Sequence, residues 1–256
     1  MTDDAPPPTL ATLQAELAAA HEQIARMSAA QEDYLRGVSH DLRAPLRHVT
    51  SYGALVRELL QELPAGQHPQ VDEALDFLAT MEQSARRMAL MIDGLQAISR
   101  AQRAPLRLQG VDLGAAVDQA RAALGSAVEG LQWHIAPAMP AVQADAEQLA
   151  QLLTELLANA LKFTCGVAEA QVTIHAQAAA PGRVHITVQD NGVGFDDARA
   201  GQLFGVFQRL HREADFAGVG AGLALCRAIA QRHGATIGAT ARPGAGCRIT
   251  LDWPAA

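Results

Sequence analysis

The chain has 256 residues, of which 49% are hydrophobic and 18% are charged, a composition typical of a globular protein with room for two cores. Its net charge of −7 argues against a basic face, so we expect no nucleic-acid partner. The three cysteines lack metal-ligand spacing, which is typical of reduced thiols in a cytosol. No apolar run reaches the roughly 18 residues of a membrane span, and the acidic start lacks a signal-peptide pattern, so we expect a cytoplasmic protein.

Heptad repeats dominate the first part of the chain. Residues 1–9 are polar and rich in proline, and we expect them to be disordered. Apolar residues then recur at alternating steps of three and four over residues 10–38, which predicts a coiled coil within one helix that ends near residue 62. Two prolines and a glycine break the helix at residues 63–69, and a second heptad occupies residues 71–95. We expect an antiparallel helical hairpin that pairs with a second copy, giving a homodimer with a four-helix bundle.

Short β-like runs alternate with helical patterns once the second heptad stops. We therefore divide the chain into a disordered segment (1–9), a coiled coil with a dimerisation hairpin (10–103) and a second domain (104–256). An α+β sandwich, with helices on one face of a mixed sheet, is the simplest assembly of the second domain. Its predicted strands are 106–108, 131–135, 171–175, 183–189, 236–241 and 247–253, and its predicted helices are 113–124, 146–160 and 222–233.

His40 lies in the segment Val38-Ser-His-Asp-Leu-Arg-Ala-Pro-Leu46, within the helical pattern. Asp41 follows it directly, and Pro45 removes a backbone donor and is expected to kink or loosen the helix. This arrangement exposes Nε2 of His40 as a nucleophile, while the neighbouring carboxylate holds the other ring nitrogen as a donor. A surface histidine without a function is the ordinary alternative for any single histidine on a helix.

Glu155, Asn159 and Lys162 are spaced by four and three residues in a helical pattern, so they project from one helix face. A carboxylate, an amide oxygen and an ammonium group on one face are suited to a hydrated Mg²⁺ and the phosphates that it bridges. Taken alone, the three residues are explained equally well by a solvated helix face.

Asp190 directly follows a predicted strand and begins the segment Asp190-Asn-Gly-Val-Gly-Phe-Asp. A carboxylate at a strand end, followed by glycines that let the backbone approach a ligand, is suited to hydrogen bonding with the amino group of a base. An ordinary Asp-Asn-Gly turn is the alternative.

A glycine-rich segment, Gly218-Val-Gly-Ala-Gly-Leu-Ala-Leu, opens the last predicted helix. Glycines at this place let backbone amides and the helix dipole meet a phosphate. The pattern alone is weak evidence, because flexible loops use it too, and it does not fit the dinucleotide fingerprint, which follows a first strand. A phenylalanine-rich segment, Leu203-Phe-Gly-Val-Phe-Gln-Arg-Leu, precedes it.

In this order and spacing, these segments resemble the histidine motif and the four ATPase motifs of sensor histidine kinases of two-component systems. The resemblance extends over roughly residues 31–254. The runs Phe207-Gln-Arg-Leu-His-Arg-Glu and His40-Asp-Leu-Arg-Ala-Pro-Leu-Arg look closest to the phytochrome-like branch.

The resemblance implies an ATP-dependent protein histidine kinase that autophosphorylates His40 and passes the phosphoryl group to an aspartate of a response regulator. It implies ATP and Mg²⁺ as cofactors, Asp41 as the group that orients His40, and Glu155 as a base or a ligand of metal-bound water. It further implies Asn159 as a metal ligand with Glu155, Lys162 as a phosphate contact and Asp190 as the adenine contact. The residues implied to shape the nucleotide pocket are Gly192, Gly194, Phe195, Gly218, Gly220, Gly222 and Leu223.

A mobile lid over ATP is implied from about residue 196 to residue 217, anchored to the core by Phe204 and Phe207. Arg209 is implied to reach either the γ-phosphate or the helical domain, and the sequence does not decide between them. Because donor and acceptor lie on different domains, the connection near residues 100–105 is expected to flex. Transfer within one chain and transfer across the dimer both stay open.

The chain departs from the pattern of the family at several places. Ala44 stands where many relatives carry Thr or Asn, which predicts weak phosphatase activity toward the partner regulator. Glu155 stands where Asn is usual, and Cys247-Arg248 lacks the usual Ser or Thr, which leaves one pocket hydrogen bond without its usual donor. No sensor domain is recognisable, so we expect a separate sensory protein to dock on the coil of residues 10–38.

Two other functions are compatible with parts of the sequence. One is a dimeric phosphotransfer or scaffold protein with a weak or degenerate ATPase domain, against which the intact Asn159, Lys162 and Asp190 argue. The other is a chaperone or mismatch-repair ATPase, a class that lacks a histidine-bearing hairpin ahead of the ATPase domain. His40 with Pro45 therefore favours the kinase.

Overall fold

The structure is a computed structural model, and it describes residues 42–43, 45–62, 69–125, 130–212 and 215–256. The predictions for residues 1–9, for the coil of residues 10–38, and for His40, Asp41 and Ala44 lie outside the described residues. The helices are α1 (42–43 and 45–61), α2 (Pro69–Arg103), α3 (Leu113–Ala123), α4 (Ala146–Thr164) and α5 (Gly222–Arg232), with a 3₁₀ helix at Asp197–Gln202. The strands are β1 (Gln109–Val111), β2 (Gln132–Ile135), β3 (Val142–Ala144), β4 (Gln171–Ala178), β5 (Arg183–Asp190), β6 (Thr236–Ala241) and β7 (Cys247–Pro254).

Helices α1 and α2 form an antiparallel hairpin. Near the start of α1, Arg43 pairs with Asp93 at 2.6 Å, and further along α1 Arg57 pairs with Glu82 at 2.7 Å. The partner number on α2 falls as the number on α1 rises, which is the register of two antiparallel helices. A small apolar core lies between the helices and consists of Leu46, Ala85 and Ile92.

The hairpin leaves large apolar side chains exposed. Tyr52, Leu59 and Phe77 are each about two-thirds exposed, at 66%, 65% and 66%. Such a surface gains free energy when a second apolar surface covers it, so the four-helix bundle of a homodimer stays a prediction. None of the described helices combines the length and the apolar character needed to cross a bilayer.

The second part of the chain is built around a five-stranded sheet in the order β2-β4-β5-β7-β6. Strand β2 pairs with β4 in parallel, and the other neighbours pair antiparallel, so the sheet is mixed as predicted. Strands β1 and β3 form a separate antiparallel pair.

Helix α4 buries one face in the core of this part. Five of its six leucines are at most 2% exposed and recur at the spacing of one helix face: Leu149, Leu152, Leu153, Leu156 and Leu157. They belong to one core with Ile174, Ile186 and Leu251 of the sheet. Burial of each leucine contributes about 1.5–3 kcal/mol, which holds α4 in one orientation on the sheet. Half-buried polar residues of α4 therefore keep a defined position.

The end of α2 packs against α5. Ala101 is buried in the core of the second part, and Arg232 Nη1 donates hydrogen bonds to the carbonyls of Ala101 (2.8 Å) and Ala104 (2.6 Å). A Cβ added at Gly94 would overlap the side chain of Ala221, so the two helices approach closely there. The domain boundary after residue 103 stays a prediction.

Several predicted bounds are wrong at the ends of elements. The strand predicted at 106–108 is replaced by β1, because the amide of Arg107 donates to Asp145 Oδ2 (3.0 Å) while Gln109 pairs with Ala144 of the unpredicted β3. Helix α4 continues past residue 160 to Thr164. Strand β4 continues past residue 175 to Ala178, because β5 pairs with its whole length.

Candidate functional site

A cavity of about 330 Å³ opens between the polar face of α4, the interior strands β5 and β7 of the sheet and the start of α5. Residues 203–212 and 215–221, which we call the covering segment, close the cavity, and we call residues 217–222 the glycine loop. The predicted site residues that line this cavity are Glu155, Asn159, Lys162, Asp190, Gly194, Phe195, Arg209, Gly218, Gly220, Gly222 and Leu223.

The three polar residues of α4 face the glycine loop. A Cβ added at Gly222 would lie 3.3 Å from Glu155 Cδ and 3.9 Å from Asn159 Nδ2, so a side chain at this position would displace the Glu155 carboxylate. The ammonium of Lys162 lies 3.8 Å from the Cβ position of Gly218 and 4.3 Å from the centroid of the Phe163 ring. A carboxylate, an amide and an ammonium thus line up along one wall of the cavity.

Asp190 is held by two backbone amides at the end of β5. Its Oδ1 accepts hydrogen bonds from Gly192 N (2.9 Å) and Cys247 N (3.2 Å). Oδ2 has no protein donor within the part of the chain that the structure describes, and the residue lines the cavity although it is only 8% exposed. Gly192 does not line the cavity, and its amide instead orients Asp190.

Two glycines with positive φ allow the loop after β5 to approach the turn between β6 and β7. Gly194 has φ +59°, and an added Cβ would collide with the Arg242 carbonyl. Gly246 has φ +82°, and an added Cβ would collide with the Asp190 carbonyl. Gly246 was not predicted, and its signal is the Pro-Gly-Ala-Gly turn between two predicted strands.

The covering segment is attached to the rest of the molecule at its start and braced at its end. Phe204 lies in the core, whereas Phe207 is half-buried, has φ +61° and is not part of that core. The guanidinium of Arg209 donates to the Phe216 carbonyl (2.6 Å) and to the Gly218 carbonyl. Arg209 therefore braces the segment itself, a role distinct from the two that the sequence left open.

Comparison with known proteins identifies this architecture. Residues 144–256 match the family described as histidine kinase-, DNA gyrase B-, and HSP90-like ATPase. The chain carries an ATPase domain of this family. It is 32% identical over 242 residues to the phytochrome-like protein Cph1 of Synechocystis sp. and 30% identical over 231 residues to the alginate biosynthesis sensor protein KinB of Pseudomonas aeruginosa.

These alignments cover 93% and 88% of the chain but 31% and 37% of the relatives, so the chain spans about a third of their length. The crystal structure of full-length ShkA in complex with AMPPNP has the same fold, with a TM-score of 0.60 and 23% identity over 88% of this chain and 46% of that one. The resemblance to sensor histidine kinases is confirmed, as is a helical region followed by an ATPase domain.

Burial favours neutral side chains in the cavity of the ATPase domain. It raises the pKa of Glu155, which the charge of Lys162 partly offsets. It also lowers the pKa of Lys162, and the charge of Arg209 lowers it further. Burial raises the pKa of Asp190 against the two backbone hydrogen bonds that lower it. A ligand that brings both negative charge to Lys162 and positive charge to Glu155 therefore shifts the pKa of each group back in the direction that favours its ionised form.

An aromatic cluster at the cavity was not predicted. His211 and Phe216 of the covering segment lie 5.3 and 5.0 Å from Phe163 of α4, measured between ring centroids. Burial lowers the pKa of His211, so the neutral ring is favoured among these aromatic neighbours. The signal in the sequence was the position of Phe163 beside Lys162, but the pairing joins residues about 50 positions apart and needs the fold.

Proposed function

We propose that the protein is an ATP-dependent protein histidine kinase that autophosphorylates His40 and transfers the phosphoryl group to an aspartate of a response regulator. The observation that carries the proposal is the convergence of Asn159, Lys162 and Asp190 on one cavity with the glycine loop. The names of the relatives, which include sensor proteins, support the same reaction.

Asp190 is the proposed contact to the adenine amino group. Its Oδ1 is occupied by two backbone amides, and Oδ2 is the acceptor that remains for a ligand donor. Phe195, Leu223 and Ile249 supply apolar lining in the same cavity, which suits the faces of a flat base.

Lys162 and the start of α5 are the proposed contacts to the phosphates. Ala221 caps α5 without a side-chain hydrogen bond, so the first amides of the helix are available to an anion. A phosphate beside Lys162 raises the pKa that burial lowers, so the lysine binds in its charged form.

Glu155 and Asn159 are the proposed protein ligands of Mg²⁺. Mg²⁺ favours one or two carboxylates together with water and phosphate oxygens, and the described residues hold no group of three or more His, Cys, Asp or Glu that would form an all-protein site. The two side chains, one turn apart and both beside Gly222, fit this coordination. Bound Mg²⁺ would supply positive charge that offsets the charge of the phosphate oxygens.

His40 is the proposed acceptor, with Asp41 as the residue that orients its ring. Attack on phosphorus requires a neutral imidazole with no proton on Nε2, and a carboxylate that accepts a hydrogen bond from Nδ1–H favours that tautomer. The exposed apolar side chains of the hairpin support pairing of two copies into a four-helix bundle. The regulator, a sensory partner on the coil of residues 10–38, and the weak phosphatase activity that Ala44 predicts belong to the same proposal.

Autophosphorylation with γ-labelled ATP and Mg²⁺ tests the proposal. The wild type is expected to take up acid-labile, alkali-stable label, and His40→Gln and Asn159→Ala are expected to take up none. Label that persists in His40→Gln would name a different acceptor. Nucleotide binding without any label would instead favour the dimeric scaffold.

A further inference from the structure

A second cavity of about 410 Å³ lies between the hairpin and the ATPase domain. Helix α1 contributes Arg57 to its wall, α2 contributes Glu82, Arg86 and Arg87, and residues 217–219 of the glycine loop close it. Three arginines face one glutamate there, so the lining carries net positive charge. We call it the arginine cavity.

The arginine cavity shares a wall with the cavity of about 330 Å³ that holds the proposed nucleotide contacts, which we call the nucleotide cavity. Residues 217–219 line both of them, and the Cβ position of Gly218 lies 3.8 Å from the ammonium of Lys162. The end of the nucleotide cavity that holds the proposed phosphate contact therefore lies against the arginines of the hairpin. Gly218 is exposed and carries no side chain to fill the space between them.

Two of the arginines have hydrogen-bond donors to spare. Glu82 is 6% exposed, and its Oε2 lies 2.7 Å from Nη2 of Arg57 and 3.4 Å from Nη2 of Arg86. Among the residues that the structure describes, Nη1 and Nε of both arginines have no acceptor. The single carboxylate neutralises one guanidinium at most, and it holds Arg57 in place while the remaining donors suit an oxyanion.

We propose that Arg57 and Arg86 bind the terminal phosphate of a nucleoside triphosphate in the nucleotide cavity, past Gly218. The inference rests on the proposed function and adds residues of the hairpin to the nucleotide site. A triphosphate extends one phosphate further than a diphosphate from the adenine end, so it reaches the arginine cavity and the diphosphate does not. The hairpin thereby distinguishes ATP from ADP.

The ratio of two affinities separates this role from a purely structural one. The ion pair between Arg86 and Glu82 lies within α2, whereas the pair between Arg57 and Glu82 joins α1 to α2, and its loss changes the stability of the hairpin. It does not change how strongly the cavity prefers a triphosphate over a diphosphate. Arg86→Gln is the cleaner variant, because the side chain of Arg86 is 73% exposed and its removal leaves the fold intact.

Calorimetric titration of the full chain with Mg²⁺ and either a non-hydrolysable ATP analogue or ADP tests the proposal. Arg86→Gln and Arg57→Gln are each expected to weaken the triphosphate roughly tenfold and to leave ADP within about twofold, as loss of a charge-assisted hydrogen bond predicts. The matched control is Arg100→Gln, an exposed arginine of α2 outside both cavities, which is expected to change neither affinity.

Equal loss of triphosphate and diphosphate affinity, or no loss of either, would overturn the arginine site and leave the proposed kinase standing. A wild type that binds neither nucleotide would overturn the proposed function itself, and this inference with it. If Arg57→Gln fails to fold by circular dichroism, the titration of Arg86→Gln decides.

Discussion

Replacing Asp190 with asparagine separates the proposed adenine contact from the stability of the ATPase domain. The amide oxygen of Asn can accept the hydrogen bonds from Gly192 and Cys247 that Oδ1 accepts at 2.9 and 3.2 Å. In place of Oδ2, which accepts hydrogen bonds, the variant carries an NH₂ group that donates them. This group faces the amino group of adenine, which is also a donor, so no hydrogen bond forms. Because burial raises the pKa of Asp190, the charged carboxylate costs free energy in the fold, and we expect Asp190→Asn to keep the melting temperature.

The expected loss of ATP affinity in Asp190→Asn follows from one lost hydrogen bond and the adenine amino group that is left without an acceptor. A hydrogen bond to a charged acceptor contributes about 1.5–3 kcal/mol, and a buried donor without a partner costs about 1–3 kcal/mol. The lower ends of both ranges together give about 2.5 kcal/mol, which corresponds to roughly 70-fold weaker ATP binding. Guanine carries a carbonyl oxygen where adenine carries the amino group, so GTP is expected to lose less than ATP.

Competition titrations with ATP and GTP, together with thermal melts, measure both effects. The matched control is Asp118→Asn on α3. The exposed carboxylate of Asp118 lies 3.4 Å from Arg121 and does not line the cavity. An ATP affinity of Asp190→Asn within about twofold of the wild type would refute the adenine contact. Equal losses for ATP and GTP would refute the stated geometry.

Three further predictions concern other residues of the ATPase domain. Burial raises the pKa of Glu155, so Mg²⁺–ATP affinity is expected to fall as acid protonates this ligand, and titrations across pH should find that Glu155→Gln flattens the fall. Burial lowers the pKa of His233, whose Nε2 accepts a backbone amide at 3.0 Å. The stability that neutral His233 contributes is therefore present above pH 6.5 and lost as pH falls through the lowered pKa, by at most about 1.4 kcal/mol per pH unit. Urea denaturation at several pH values should show that the free energy of unfolding falls less steeply toward acid pH in His233→Gln. The exposed His175→Gln should show the same fall as the wild type. Gly194→Ala is expected to cost about 2 kcal/mol in urea denaturation because its φ is positive and a carbonyl fills the space, whereas Gly201→Ala, with nothing near, costs little.

Local spacing was sufficient to predict one wall of the candidate site. Residues four and three apart on a helix share a face whatever surrounds them, so the side by side placement of Glu155, Asn159 and Lys162 follows from α4 being a helix. The alternation of apolar residues over 183–189 likewise predicted a half-buried strand that Asp190 directly follows, and in the structure Asp190 is the last residue of β5. The strands predicted at 236–241 and 247–253 match β6 and β7 for the same reason.

Contacts between distant segments were not predictable from such patterns. The strand predicted at 106–108 is wrong because pairing with β3, 31 to 35 positions later, selects Gln109–Val111 as the strand. The hydrogen bonds from Arg209 to the carbonyls of Phe216 and Gly218 form because the loop folds back on itself. The periodicity of the sequence does not predict such a loop conformation. The aromatic contacts of Phe163 likewise depend on that loop.

The sequence by itself determined the helical hairpin, the mixed sheet with its helices, and the identity of eleven residues that line the nucleotide cavity. These follow from periodicity and short motifs, which act within one element or one turn. Only the tertiary structure decided that two backbone amides leave one oxygen of Asp190 for a ligand, and that the arginines of the hairpin lie beside Gly218. The reason is physical: a cavity is lined by several elements, and a hydrogen-bond acceptor on one element can be used by donors on another. Which acceptors stay unpaired and which residues line a cavity are therefore decided only when the elements pack together.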